Sequence, residues 1–282
     1  MTYFLNGITP INQFTKTTKE KYFIDKSELI GKMNELVGTA SQYICITRPR
    51  RFGKTINAMM LASYYSKNAN FKNLFNKLEI SKSSSYLQHL NKHNVIYMTL
   101  NQIPSPNCTY KEFISGYADD LIDDLQEIFP NVQIKITNPI YKILTQVYNQ
   151  TGQGFIFIID EWDYIFNNNL FSEGERKEFL EFLRDLLKDK PYVELAYMTG
   201  VLPIAKYSAG SALNMFKEYN ILNDKKYDKY FGFTFDETKA LCKKQNIVTF
   251  EELTSWYDGY KTCSGLDHVL KQFKGRKIND KT

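Results

Sequence analysis

The 282-residue sequence holds only four cysteines, Cys45, Cys108, Cys242 and Cys263, and no two of them form a C-x-x-C pair. That scarcity excludes a zinc ribbon and a disulfide framework and fits a reducing compartment. Long apolar runs are missing as well. The most apolar stretch, FIFII before Asp160, is far too short to span a bilayer, and residues 2–19 lack the apolar core of a signal peptide. A cytoplasmic protein without a membrane segment is expected. There are three histidines. His89 and His93 have the i, i+4 spacing of a shared helix face, but no third ligand or adjacent Glu completes a zinc motif. No Ser or Cys stands in a G-x-S-x-G or Cys/His context, so covalent catalysis is not indicated. A one-sided charge is also absent from the body of the chain. Of the formal +5, the segment after residue 270 supplies +4, from Lys271, Lys274, Arg276, Lys277 and Lys281 against Asp280. Global charge therefore gives little support for nucleic acid as a partner, although the basic tail can either touch it or merely solubilise the end.

The chain does have the balance of an ordinary globular protein, with 43 % hydrophobic and 24 % charged residues. Residues 22–37 read as a leading strand and a helix, with Asp25 as cap and Glu28 three residues later. Tyr43–Thr47 (YICIT) is a short strand, RPRRFGKT (Arg48–Thr55) a loop, and INAMMLASYYSK a helix. Val95–Leu100 is the next strand, followed by helices over Tyr110–Ile128 and Pro139–Tyr148. Gly154–Asp160 (GFIFIID) is a continuous apolar run ending in an acid, as in a buried parallel strand. Ser172 and Glu175 make a capping box for a helix whose stripe is Phe179, Phe182, Leu183, Leu186 and Leu187. Val193–Thr199 is another strand, Leu202–Phe216 a loop with a short helix, and Tyr230–Thr234 a last strand. Short helices over Asp236–Lys244 and Phe250–Tyr257 form a small lid. Strands alternating with helices imply a parallel sheet covered on both faces.

Strand, loop and helix around Gly53, Lys54 and Thr55 are the setting of a phosphate-binding loop. Gly53 lets the backbone approach the phosphates, the helix behind it offers unpaired N–H groups, Lys54 brings a cation, and Thr55 a hydroxyl for magnesium. The first glycine of G-x-x-x-x-G-K-[ST] is replaced by Arg48, which Pro49 restricts to an extended conformation. Alone, the tripeptide can equally open an ordinary helix. The second half of the site is FIFIIDEWD, which puts Asp160 and Glu161 at a strand end, where ligands gather in open α/β sheets. Asp160 would hold magnesium through water and Glu161 would orient or deprotonate the attacking water. The Val95–Leu100 strand lies between the two motifs in sequence. That spacing allows an extra strand between them in the sheet, as in the additional-strand class of P-loop ATPases.

Several residues keep two readings. Arg50 and Arg51 can touch phosphates or a partner's nucleotide, or pair with nearby acids. Thr199 is a polar sensor of the attacking water or a plain strand-end threonine. Asp25 lies near the base or sugar or simply caps its helix. Arg176 and Arg184 are arginine fingers across subunits or solvated surface charges.

RPRRFGKT, YFIDKSELI, FIIDEWD, MTGVLPIAKYSAGSALNMF, YFGFT and WYDGY together resemble the bacterial AAA-ATPase-like family over roughly residues 6–265. In that family RPRRFGK[ST] is the normal loop, so Arg48 is a family feature. The resemblance implies ATP binding by Gly53, Lys54 and Thr55, with Asp160 and Glu161 as the Walker B acids; Trp162 stands where Tyr is common. Family members often continue into a domain resembling PD-(D/E)XK nucleases. This sequence departs after Gly265, so a truncated or frameshifted end is expected and no nuclease function is carried over.

The expected fold is a three-layer α/β P-loop NTPase with a mostly parallel sheet of the additional-strand class and a small helical C-terminal lid. Residues 1–233 form the P-loop domain, 234–265 the lid region and 266–282 a divergent basic tail. The expected activity is ATP hydrolysis with Mg2+, with Glu161 and Lys54 catalytic. Arg50, Arg51, Phe52, Gly53, Lys54, Thr55, Ile56 and Thr199 would bind the nucleotide, and Thr55 and Asp160 the metal. A nucleotide-gated switch, possible as a homo-oligomer or with a protein partner, is the rival; a nucleic-acid-associated protein and an inactive remnant are the others. No base-reading motif separates ATP from GTP.

Overall fold

The computed structural model describes residues 2–67, 72–101, 108–167, 170–207, 212–222, 224–245, 249–252, 260–261 and 267–268. Helices α1 (Thr9–Thr17) and α2 (Glu28–Asn34) precede β1 (Tyr43–Thr47) and α3 (Lys54–Tyr65). Two one-turn helices, α4 (Lys72–Phe75) and α5 (Tyr86–His89), lead to β2 (Asn94–Thr99). Then come α6 (Tyr110–Ile128), α7 (Ile140–Thr151), β3 (Phe155–Asp160), α8 (Glu173–Leu187), β4 (Val193–Gly200), β5 (Lys217–Tyr219) and α9 (Phe235–Gln245). A two-residue antiparallel pair, β6 (Tyr260–Lys261) with β7 (Asp267–His268), stands apart from the main sheet.

The main sheet has five strands in the order β2-β3-β4-β1-β5, and every pairing is parallel. β3 is buried along its whole length because it is covered on both faces. Its side chains alternate between two cores, Phe155, Phe157 and Ile159 in one and Ile156 and Ile158 in the other. The first core is closed by α6, α7 and α8, through residues such as Phe113, Ile143 and Leu183. The second is closed by α1, α2 and α3, through Phe14, Leu29 and Leu61. Each buried aliphatic or phenyl group in β3 contributes about 1.5–3 kcal/mol relative to exposure, so this strand anchors the layers. The result is a three-layer α/β fold with a parallel sheet between two helical layers. Thr109–Glu112 and Ser172–Glu175 both form capping boxes, starting α6 and α8. In α8 the fully covered positions include Leu180, and Phe182 is half-buried.

Several expectations are corrected. An additional strand does separate β1 from β3, but it is β4; β2 lies at the sheet edge. Crossover packing sets strand order, and sequence order does not reveal it. Residues 22–27, all described, hold no strand ahead of α2. Asp25 does not cap that helix either: Ser27 holds the N-cap position without a side-chain bond. The Asp25 carboxylate instead accepts the N–H groups of Ser27 (2.8 Å) and Glu79 (2.7 Å), tying two segments together. Residues 230–234 are not a strand, because Gly232 turns the chain at φ 73°. The edge partner of β1 is β5, which begins just after the Leu202–Phe216 stretch, in residues for which no element was expected. Of the second lid helix only residues 250–252 are described, and of the 266–282 tail only residues 267–268, so its basic residues from Lys271 on lie outside the described residues. Among the described residues no helix is long and apolar enough to cross a membrane.

Candidate nucleotide site

β1 ends at Thr47, and the loop that follows reaches α3 through two left-handed residues, Arg51 at φ 72° and Gly53 at φ 79°. A Cβ on Gly53 would meet no atom within 4 Å, so it is the backbone conformation that calls for glycine there. Gly53 is the N-cap of α3, and the Gly53 carbonyl accepts the first helical bond, from the Asn57 N–H at 3.0 Å. The N–H groups of the first turn, Lys54 to Ile56, therefore have no partner within the helix. They border a cleft of about 360 Å³, lined by Arg50, Arg51 and Gly53 to Ile56 on one side and Glu161 on the other.

Lys54 is buried at 7 % exposure, and its Nζ donates to the carbonyls of Arg48 (2.8 Å) and Pro49 (3.0 Å). Burial lowers its pKa; the charges of Asp160, Asp163 and Glu161 oppose that shift. Asp160 closes β3 at 1 % exposure. Its carboxylate accepts the Thr199 hydroxyl, and the Thr55 hydroxyl also bonds to it. Burial raises the Asp160 pKa, while those two hydroxyls pull it down. Lys54, Thr55, Asp160 and Thr199 thus converge from β1–α3, β3 and β4, as parallel neighbours ending at one edge allow. Thr199 is fully buried behind Asp160 and is not part of the cleft lining.

Glu161 follows in a left-handed conformation, φ 54°, uncommon for a side-chain-bearing residue and the kind of strain found at functional turns. Its Oε2 accepts the side-chain N–H of Asn101 at 2.7 Å. Trp162 is wholly buried against Gly200, where an added Cβ would stand 2.5 Å from the indole nitrogen. Asp163, also buried, accepts the N–H groups of Val201 (2.9 Å) and Leu202 (2.8 Å), bracing the turn after β3 against the loop after β4.

A second cavity, of about 460 Å³, adjoins the first, since Arg51, Gly53 and Ile56 line both. Tyr22, Phe23, Tyr230 and Phe233 supply aromatic surface, and Phe52 and Asn57 complete the side nearest the loop. Lys26, also in its wall, is held by the Glu237 carboxylate of α9 (2.5 and 2.7 Å) and the Lys229 carbonyl (2.7 Å). Burial lowers the Lys26 pKa against the pull of Glu237.

Arg48 lines neither cavity; it is paired with Asp224 in the interior. Arg184 is paired with Glu181 and Asp185 beside it on α8, which fits a surface charge, and Arg176 is half-buried on the same helix. His89 and His93 do meet, with Nδ1 of the first 3.0 Å from Nε2 of the second, but only His89 is in α5. Glu194 bonds the other nitrogen of His93 at 2.6 Å, which accounts for the pair without a metal. Among the described residues no group of three or more His, Cys, Asp or Glu side chains is arranged to hold a metal ion.

Asn101, Asp163 and the aromatic cavity were not foreseen from sequence. Asp163 stood in the FIIDEWD motif, so its acid was visible though not its role. The others carry no local pattern.

A family model described as AAA-ATPase-like, predicted AAA-ATPase, matches residues 8–209. A curated protein of Azotobacter chroococcum mcd 1, described as an uncharacterized protein in the vnfD 5′ region, is 23 % identical over 246 residues. That alignment covers 85 % of this chain but 45 % of the relative, so the chain spans less than half of that protein's length. Among solved structures, the ORC2 protein of Aeropyrum pernix, in ADPNP–ADP complexes, aligns with a TM-score of 0.36 at 8 % identity. It covers 84 % of this chain and 51 % of that one. AMPPCP-bound DnaA of Aquifex aeolicus aligns with a TM-score of 0.37 at 15 % identity, over 83 % and 56 % of the two chains.

Proposed function

The chain belongs to the AAA-ATPase-like family of predicted AAA-ATPases, and on that premise we propose that it binds ATP with magnesium and hydrolyses it. The observation that carries this reading is the convergence of Lys54, Thr55 and Glu161 around one cleft at the ends of β1 and β3, with Asp160 buried beside it and bonded to the Thr55 hydroxyl. The triphosphate lies along the first turn of α3, accepting its unpaired N–H groups. Arg50 and Arg51 border the same space and are placed to meet phosphate oxygens. The base and sugar occupy the aromatic cavity beside it, against Phe52 and Ile56.

The donor set suits magnesium. Thr55 and Asp160 offer hard oxygens, and this ion takes few protein ligands when phosphate and water complete its shell. When bound, it neutralises charge on the β- and γ-phosphate oxygens. In hydrolysis a water oxygen bonds to the γ-phosphorus, the bond to the β,γ-bridging oxygen breaks, and Glu161 takes the water's proton. Lys54 must leave the Arg48 and Pro49 carbonyls to face the phosphates, and Glu161 must leave Asn101. Thr199, bonded to Asp160, orients that carboxylate. Calorimetry with Mg–ATP on wild type and Lys54→Ala tests binding. Phosphate release should collapse in Glu161→Gln while ATP binding survives; equal turnover in both proteins removes Glu161 from the mechanism.

The Asn101–Glu161 bond favours a second reading, a nucleotide-gated switch with little turnover, because it withholds the base from water. Turnover well below about one per minute, with tight ATP binding, supports it by analogy with slow nucleotide switches. Fast steady turnover rules it out. A homo-oligomer or a protein partner would receive the signal.

A further inference from the structure

Arg48 opens the phosphate loop, yet its side chain points away from the cleft and is 1 % exposed. One guanidinium nitrogen pairs with Asp224, itself wholly buried. The other donates to the carbonyls of Thr47 (2.9 Å) and Tyr219 (2.8 Å). The plane lies 5.1 Å from the centre of the Phe231 ring. The second oxygen of Asp224 accepts the N–H groups of Lys226 and Tyr227, both at 2.7 Å. Tyr219 and the segment from Asp224 to Phe231 are therefore gathered around one cation. Among its described residues the only regular structure beyond the end of β5 is a three-residue 3-10 turn, Asp228–Tyr230.

What that stretch carries matters more than its own shape. Tyr230, Gly232 and Phe233 form one wall of the aromatic cavity. Two further bonds fix the wall to the loop and helix: the Gly232 N–H donates to the Phe52 carbonyl and the Asn57 amide to the Tyr230 carbonyl, each at 3.0 Å. A buried ion pair is a poor source of net stability, since packed apolar groups of like volume do as well or better. A guanidinium does something they cannot. Its planar fork fixes several acceptors at set angles.

We propose that Arg48 is a positioning residue for nucleotide binding, acting through Asp224 to set the base-side wall at Tyr230–Phe233 in register with the phosphate loop. The inference rests on the reading of the two cavities as one nucleotide site. It explains why an arginine stands where a glycine would otherwise turn the loop: the position serves the base half of the site, and the phosphate half is left to Gly53 and Lys54.

The test is a double-mutant cycle on Mg–ATP affinity, read by calorimetry, with thermal melts to confirm folding. The four proteins are wild type, Phe233→Ala, the pair Arg48→Met with Asp224→Asn, and all three changes together. Asp224→Asn keeps an acceptor for Lys226 and Tyr227 and leaves no lone buried charge. Each parent change should weaken binding about tenfold, and the combination no more than about threefold beyond either, because both act on one wall. Arg48→Lys, which keeps the charge but not the fork, should fall between wild type and the pair. Additive losses, or unchanged affinity in the folded pair, overturn the proposal. If the pair fails to fold, Asp224→Asn alone replaces it in the same cycle. Wild type that binds no ATP overturns the nucleotide reading itself, an outcome distinct from additive losses in a protein that does bind.

Discussion

Replacing Lys54 by methionine separates ligand binding from folding, because under the proposed function its ammonium has opposite roles in the two. The group is buried, its pKa is lowered by that burial, and two loop carbonyls hold it. Methionine keeps most of the stem and removes a charge that is costly to bury. Two hydrogen bonds are lost at about 1 kcal/mol net each, and relief of the desolvation cost offsets a similar amount. Stability should therefore change by no more than about 1 kcal/mol, roughly 2–4 °C in melting temperature for a chain of this size. Binding is different. A charge-assisted contact to phosphate is worth about 1.5–3 kcal/mol, and Lys54 can reach more than one oxygen, so the net loss should be about 2–4 kcal/mol. That is about a 30- to 700-fold rise in Kd, measured by calorimetry with Mg–ATP at fixed ionic strength. A folded variant whose affinity drops less than about threefold would falsify the placement of Lys54 on the phosphates. A melting temperature lowered by more than about ten degrees would show Lys54 to be a structural strut in the loop.

Asn101→Ala frees Glu161 from its 2.7 Å contact at an exposed position, worth about 0.5–1.5 kcal/mol, so ATP turnover should rise about two- to tenfold in a phosphate-release assay; unchanged turnover means the bond does not restrain the base. The Asp160 pKa is raised, chiefly by burial. Between its ordinary value and that raised value the folded protein binds more protons than the unfolded chain, so the empty protein loses stability as pH rises through the window. Mg–ATP needs the carboxylate, so the nucleotide-induced rise in melting temperature should grow across the same window, measured from about pH 4 to 8. Thr199→Val removes a hydrogen bond that holds this pKa down and should move the midpoint to higher pH; a midpoint that stays put contradicts the assignment. Gly200→Ala drives a methyl to 2.5 Å from the Trp162 indole nitrogen and should cost about 1–3 kcal/mol in denaturant unfolding; a neutral result would mean that Trp162 can shift without strain.

The sequence by itself determined several features whose cause is local. YICIT and FIFIID are β-branched and apolar at lengths that suit strands, and they occupy β1 and β3. Ser172 with Glu175 starts α8 because its partners lie three residues apart. Gly53, Lys54 and Thr55 are consecutive, so their loop and helix start were readable, as was the acid pair at the end of an apolar run.

Tertiary structure decided what depends on partners far along the chain. Which strand separates β1 from β3 is settled by how the crossover helices pack, and β4 took that place. The last strand was misplaced because pairing with β1 selects Lys217–Tyr219, whose own sequence is unremarkable. Asp25 can satisfy its carboxylate as a cap or on Glu79, 54 residues away, and sequence cannot rank those options. Arg48 was legible as a departure from glycine, but its partner Asp224 lies 176 residues away. Asn101 reaches Glu161 across 60 residues for the same reason: both follow strands that end side by side. Short-range pattern reports backbone preference, whereas a site is assembled by chain crossings that leave no mark at any single position.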